Sequence, residues 1–266
     1  MKILAVWGAR NLILVALILC TTPAYSADVI DISIDAAKSQ RILFFPAAKA
    51  VANVILFPGG DGIVGITDDG KAARPNHTFT RSMTIWDKQG VTAVLFDTSD
   101  SLGNHGEFRN SGDHLNRISH VIAFLREKNN LPVWLIGHSN GTLSVSNYIN
   151  ASPENEANVD GLVILGTEHT VDFKRPLKLP ILAVHHVRDA CNVTPLAASV
   201  RVIDAAKTTS PRAELIRLDG GREESMPCKA RSYHGFLGIE DELIGRISSF
   251  MKETIAKPQG LPKGRP

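Results

Sequence analysis

Six short runs of almost unbroken apolar residues, many of them β-branched, constrain this chain more than anything else in its sequence. They are Val51–Phe57, Val91–Phe96, Val133–Ile136, Leu162–Leu165, Ile181–Val184 and Leu215–Leu218. A strand with one wet face alternates apolar and polar side chains. Strands that do not alternate must be covered on both faces, as in a parallel sheet. Helical patterns separate them, at Phe79–Gln89, Asp113–Lys128, Gly141–Ile149, Pro195–Ala206 and Gly238–Lys252. In the second of these, Leu115, Ile118, Ile122 and Leu125 recur at spacings of three and four and mark one buried stripe. This alternation predicts an α/β fold, a mostly parallel, doubly wound sheet with helices on both faces and right-handed crossovers. Ile32, Ile34 and Ile42 to Phe45 add an expected antiparallel hairpin at the front.

The two ends read differently from the middle. Residues 1–27 have the form of a secretory signal, with a basic start (Lys2, Arg10), an apolar run from Leu12 to Cys20 and small residues from Thr21 to Ala27. That run is too short to cross a bilayer, which takes about 20 apolar residues, so no stable membrane anchor is expected. Residues 257–266 carry Pro258, Gly260, Pro262, Gly264 and Pro266 and read as a disordered tail, which leaves 28–256 as one domain. Lys2 and Arg10 are the only charged side chains before Asp28. Without them the 29 basic residues become 27, against 27 acidic ones. Such a balance leaves no electrostatic footprint for nucleic acid or for an anionic membrane surface. Export would leave two cysteines, Cys191 and Cys228. An even count in an oxidising compartment predicts a disulfide, with two buried free thiols as the alternative.

Gly137-His138-Ser139-Asn140-Gly141 fits G-x-S-x-G. The pattern alone is weak, but a predicted strand runs into it and a predicted helix runs out. A turn that sharp strains the serine backbone, and glycines two residues to either side leave room for the crossing. The serine hydroxyl then stands at a helix N-terminus, where developing negative charge is favoured. The plain alternative is a helix-capping serine in an ordinary turn.

A hydroxyl needs a base to become a nucleophile, and a neutral imidazole suits that role. Of nine histidines, His234 is favoured, because it follows the last predicted strand and precedes the last helix. Asp189 is the best carboxylate to orient it, since it follows the strand Ile181–Val184. Asp219, one residue past the last strand, is the serious rival. Asp160 and Asp204 fall at the wrong edge of a parallel sheet. Cys191 lies two residues after Asp189 and Cys228 six before His234, so a disulfide would tie the acid loop to the base loop. His185 and His186 are adjacent at a strand end and face opposite ways, and no zinc spacing, dinucleotide fingerprint or phosphate loop is present. Arg109, His114, Glu168 and His169 follow strand ends and either line the cleft or serve the structure.

With these motifs in place, the chain resembles the α/β-hydrolase superfamily over nearly all of its length beyond residue 27. Leu56-Phe57-Pro58-Gly59-Gly60-Asp61-Gly62 resembles the family's turn after strand 3, with Pro58 where a histidine usually stands. Asp97 to Gly106 is similar to its glycine-containing loop after strand 4. The resemblance implies an oxyanion hole made by the backbone N–H groups of Gly60 or Asp61 and of Asn140. It implies a Ser139–His234–Asp189 triad whose side chains form one hydrogen-bonded line, and no metal or organic cofactor. Only 15 residues separate Leu165 from Ile181, too few for a helical lid, so no large lid domain is expected. The expected activity is that of an exported serine hydrolase, periplasmic or secreted, that cleaves a small-molecule or polymer ester through an acyl-enzyme. A peptidase or amidase on the same triad, or a silent binding protein on the same scaffold, are the alternatives.

Overall fold

The structure, a computed structural model, describes residues 27–257. The expected signal, apart from Ala27, and the expected tail, apart from Lys257, lie outside the described residues.

Eight strands form one sheet, and their bounds fall close to those read from the apolar runs. They are β1 (Asp28–Ser33), β2 (Ser39–Phe45), β3 (Ala52–Phe57), β4 (Val91–Phe96), β5 (Val133–His138), β6 (Gly161–Leu165), β7 (Ile181–His186) and β8 (Ala213–Leu218). Their order across the sheet is β1-β2-β4-β3-β5-β6-β7-β8. β1 and β2 form the expected antiparallel hairpin, which opens at Asp28, and β2 pairs antiparallel with β4. Every pairing from β4 through β8 is parallel.

The helices are α1 (Thr78–Lys88), α2 (Gly112–Asn129), α3 (Gly141–Ala151), α4 (Pro153–Ala157), α5 (Leu196–Ala206) and α6 (Glu240–Ala256). The sequence reading missed α4. It is a five-residue turn with no room for an apolar stripe, started by a Ser152 side-chain cap and a proline at its first position.

Unbroken apolarity in the strands has the expected cause. Val54 and Leu56 of β3, Trp134 and Ile136 of β5 and Val163 and Leu165 of β6 pack with Phe79, Met83 and Trp86 of α1 and with Leu243, Ile247 and Phe250 of α6. Their strand neighbours Ile55, Phe57, Val133, Leu135, Leu162 and Ile164 point the other way, against Ile118, Ile122 and Leu125 of α2, Tyr148 of α3 and Ile203 of α5. Two apolar layers thus sandwich the sheet, and each fully buried aliphatic contributes about 1.5–3 kcal/mol of transfer free energy. The consequence for function is positional. The carboxyl ends of β3, β5, β6 and β7 lie side by side, and the loops leaving them converge.

Candidate active site

Only Ser139 and Asn140 separate β5 from α3. Ser139 has φ +55°, a left-handed conformation that costs a residue with a Cβ roughly 1–2 kcal/mol. Its N–H donates to the Leu165 carbonyl of β6 at 2.9 Å, and its own carbonyl accepts from Thr142 N at 2.8 Å. The glycines of the motif are a consequence of this crossing. A Cβ on Gly137 would lie 2.4 Å from the Gly141 oxygen, and one on Gly141 would lie 2.1 Å from the Phe57 oxygen. The serine is half-buried, and among the described residues its Oγ makes no hydrogen bond.

His234 lies in the turns between β8 and α6 and its side chain is 2% exposed. Its Nδ1 is 2.9 Å from Asp189 Oδ2. A carboxylate only accepts, so Nδ1 carries the hydrogen and Nε2 keeps a lone pair. Asp189 follows β7 as expected. Its Oδ1 accepts the Cys191 N–H at 2.9 Å, and Thr194 Oγ1 lies 3.4 Å from its Oδ2 and 3.2 Å from His234 Nδ1. Burial pushes the Asp189 carboxyl upward. The hydrogen bond and charge of His234 and the Cys191 N–H outweigh it, and the group ends below the usual carboxylate range. Asp219 stands elsewhere, exposed and paired with Arg188 at 2.8 Å.

The link between serine and histidine differs from the expected single line. His234 Nε2 is buried and bonds to no group among the described residues. Both residues nonetheless lie against the same stretch of backbone at the end of β6. The Leu165 carbonyl holds Ser139 N, and a Cβ on Gly166 would lie 3.2 Å from His234 Cε1. His138, next to Ser139, donates from Nε2 to the His234 carbonyl at 2.9 Å, and the two rings lie 4.8 Å apart. Catalytic hydrogen bonds of this kind are often long until substrate is bound. Burial first, then the imidazoles of His234 and His77, hold His138 well below the usual histidine value, and it is neutral.

Beside the serine runs the turn from Pro58 to Gly62. A Cβ on Gly59 would come within 2.9 Å of Ser139 Cβ. The Gly59 N–H is engaged by His77 Nε2 at 3.2 Å. Gly60 has φ +57° and faces open space. Among the described residues the N–H groups of Gly60 and Asn140 donate to no protein acceptor. The Asp61 carboxylate is committed to Arg74 and to the Ile63 N–H. The Asn140 amide donates to Gly60 O at 3.2 Å and to Asn104 O at 2.8 Å, which ties the serine turn to both neighbouring loops.

Cys191 and Cys228 are joined by a disulfide that bridges the acid loop to the segment before His234. Asp189, Cys191 and His234 offer donor atoms within 4.8 Å of one another. They are no ligand set, because the Cys191 sulfur is bonded to Cys228. His185 and His186 do face different ways, His185 toward Ser199 and His186 toward the Gly220 carbonyl. The four strand-end residues bond to neighbouring protein groups. Arg109 and His114 are buried against Ser144 of α3, and Glu168 accepts from Thr170 N and pairs with the more exposed His169. His77, His138 and Thr194 were missed as parts of this site. His138 is the variable position of the motif, and the other two carry no sequence signal, being brought in from 62 residues before the serine and 55 after it.

No family model and no curated protein matches the chain. Solved structures do. An α/β serine hydrolase without lid from Xanthomonas campestris is similar at TM-score 0.59 and 13% identity, over 88% of this chain and 97% of that one. An esterase from Pyrococcus furiosus is similar at TM-score 0.60 and 12% identity, over 86% and 93%. A Butyrivibrio proteoclasticus protein solved with ferulic acid bound is similar at TM-score 0.56 and 15% identity, over 86% of this chain and all of the other. The mostly parallel eight-stranded sheet with helices is consistent with this fold, and the helix-free connection from β6 to β7 with the lidless description of the first structure. The protein has the α/β-hydrolase fold, in a form without a helical lid after β6.

Proposed function

We propose that the chain is an exported serine hydrolase that cleaves a carboxylic ester. One observation carries the reading. Ser139 is held strained at the mouth of the sheet, with a buried imidazole nearby whose Nδ1 is fixed by Asp189 and whose Nε2 lone pair is uncommitted. The basic, apolar start of the sequence and the disulfide support export. Among the described residues no helix is long and apolar enough to cross a membrane.

In this mechanism Ser139 Oγ attacks the ester carbonyl carbon while its proton passes to His234 Nε2. Asp189 holds the tautomer and stabilises the imidazolium. The carbonyl oxygen becomes an oxyanion at the N–H groups of Asn140 and of Gly60 or Asp61. Each such donor is worth about 3 kcal/mol of barrier. The imidazolium returns its proton to the departing alkoxide, leaving an acyl-enzyme and an alcohol. Water, deprotonated by the same Nε2, then releases the acid and restores the serine. The short connection after β6 leaves the serine uncovered from that side, which favours soluble or extended esters over lipid presented at an interface. Esterases among the structurally similar proteins point the same way.

A fluorophosphonate probe tests this. The expected result is one covalent adduct on Ser139, abolished in Ser139→Ala, with turnover of short p-nitrophenyl esters. Folded wild-type protein that neither labels nor turns over esters would leave the silent binding protein as the better reading. Faster turnover of aminoacyl-anilides would select the amidase.

A further inference from the structure

Arg109 is among the largest fully buried side chains, 1% exposed, in the loop between β4 and α2. Its partners are all neutral. Nη1 donates to Ser144 Oγ at 2.7 Å, and Nη2 donates to Pro58 O at 2.8 Å and Gly60 O at 3.1 Å. Among the described residues no carboxylate lies within ion-pair distance of it, the Asp61 charge acts on it from farther off, and its Nε is buried without a hydrogen-bond partner. Burial pushes the guanidinium down to about 9, which leaves it charged at neutral pH.

For stability the arrangement roughly breaks even: a buried cation loses several kcal/mol of hydration, and its three hydrogen bonds return about 1.5–3 kcal/mol each. What the contacts accomplish is local. Two of the three accepting oxygens belong to the turn that approaches Ser139, and the third belongs to α3, the helix that starts at the serine. Ser144 Oγ, which accepts from Arg109, also shares a hydrogen bond with His114 Nε2, 2.9 Å away, so the anchor on α3 is itself held in place. In a trans peptide the N–H points away from the carbonyl. A cation on the oxygens of Pro58 and Gly60 therefore draws electrons through the Pro58–Gly59 and Gly60–Asp61 peptides and sharpens their N–H donors on the opposite side. The first of these donors is taken by His77, which fixes the turn, and the second stands next to the Gly60 N–H.

We propose that Arg109 is a positioning residue for the ester cleavage proposed above. It clamps the Pro58–Asp61 turn to α3, which sets the Gly60 N–H in position, and polarises the Gly60–Asp61 peptide, so that a donor of this turn meets the oxyanion as it forms. The proposal rests on that functional reading and goes beyond it in naming what builds the hole.

A group that acts only in the transition state changes kcat and spares KM. With p-nitrophenyl acetate, Arg109→Met lowers kcat about 100-fold, the size of losing one oxyanion donor. Its KM stays within about threefold. Arg109→Lys, which keeps charge without the fork, recovers part of the loss. Ser144→Ala leaves the carbonyl contacts but removes the anchor on α3, and lowers kcat about fivefold at unchanged KM. A folded Arg109→Met enzyme with wild-type kcat overturns the proposal. If neither Arg109 variant folds, Ser144→Ala decides. A lowered melting temperature with unchanged kcat marks a purely structural anchor and also overturns it. Fluorophosphonate labelling of the wild type is the control, since its failure would strike the role of Ser139 and not that of Arg109.

Discussion

Acid should unfold this protein through its buried histidines before its carboxylates take part. His114 and His138 are 2% and 3% exposed. Burial, then the charges of Arg109 and Arg117, pushes His114 down to about 3, and burial foremost holds His138 well below the ordinary value. An imidazole whose folded value lies below its unfolded value near 6.5 stays neutral in the native state while the unfolded chain takes up a proton. Stability is therefore complete above the unfolded value and falls as pH drops between the two. Between about pH 6 and pH 5 a group held as low as His114 removes about 1.2 kcal/mol, and His138 adds a loss of the same sign. His77 and His185 are shifted in the same sense and add to the slope. Carboxylates such as Asp189 contribute with the same sign only at lower pH, through their own depressed values. Urea unfolding at the two pH values measures the loss directly. His114→Gln should flatten the slope by about 1.2 kcal/mol per pH unit, and His138→Gln should flatten it in the same sense, whatever they do to absolute stability. A slope that is unchanged in both variants would refute the reasoning.

Three further outcomes are expected. Asp189→Asn should lower kcat toward p-nitrophenyl esters by about 10⁴-fold through the wrong His234 tautomer, whereas Asp219→Asn should leave it unchanged. Steady-state kinetics of the two variants separates the acids. Gly141→Ala, whose Cβ would meet the Phe57 oxygen at 2.1 Å, should give an unfolded or insoluble chain, because the obstacle is backbone of an interior strand. Circular dichroism of the purified variant checks it. Replacing both Cys191 and Cys228 by serine opens a loop of 37 residues and should lower unfolding free energy by roughly 4 kcal/mol on the chain-entropy account, read from denaturant midpoints with and without reductant.

Local chemistry alone fixed much of this protein. Apolar runs with no alternation demanded two-sided burial, and the paired layers on β3, β5, β6 and β7 are the result. Gly137 and Gly141 announced the serine turn, because only glycine fits where backbone crosses backbone. Asp189 and His234 could be chosen by position, since parallel strands deliver their ends to one edge of the sheet. Other features had no sequence signal. His138 on the histidine's carbonyl and Arg109 behind the Pro58–Asp61 turn are joined across dozens of residues, and His77 on the Gly59 N–H and Thr194 at the acid sit in loops with no pattern to announce them. The uncommitted Nε2 of His234 is likewise a fact of packing, not of spacing. Periodicity reports which face of an element is dry. Which partners meet inside that dry space depends on where the other elements lie, and only the folded chain decides that.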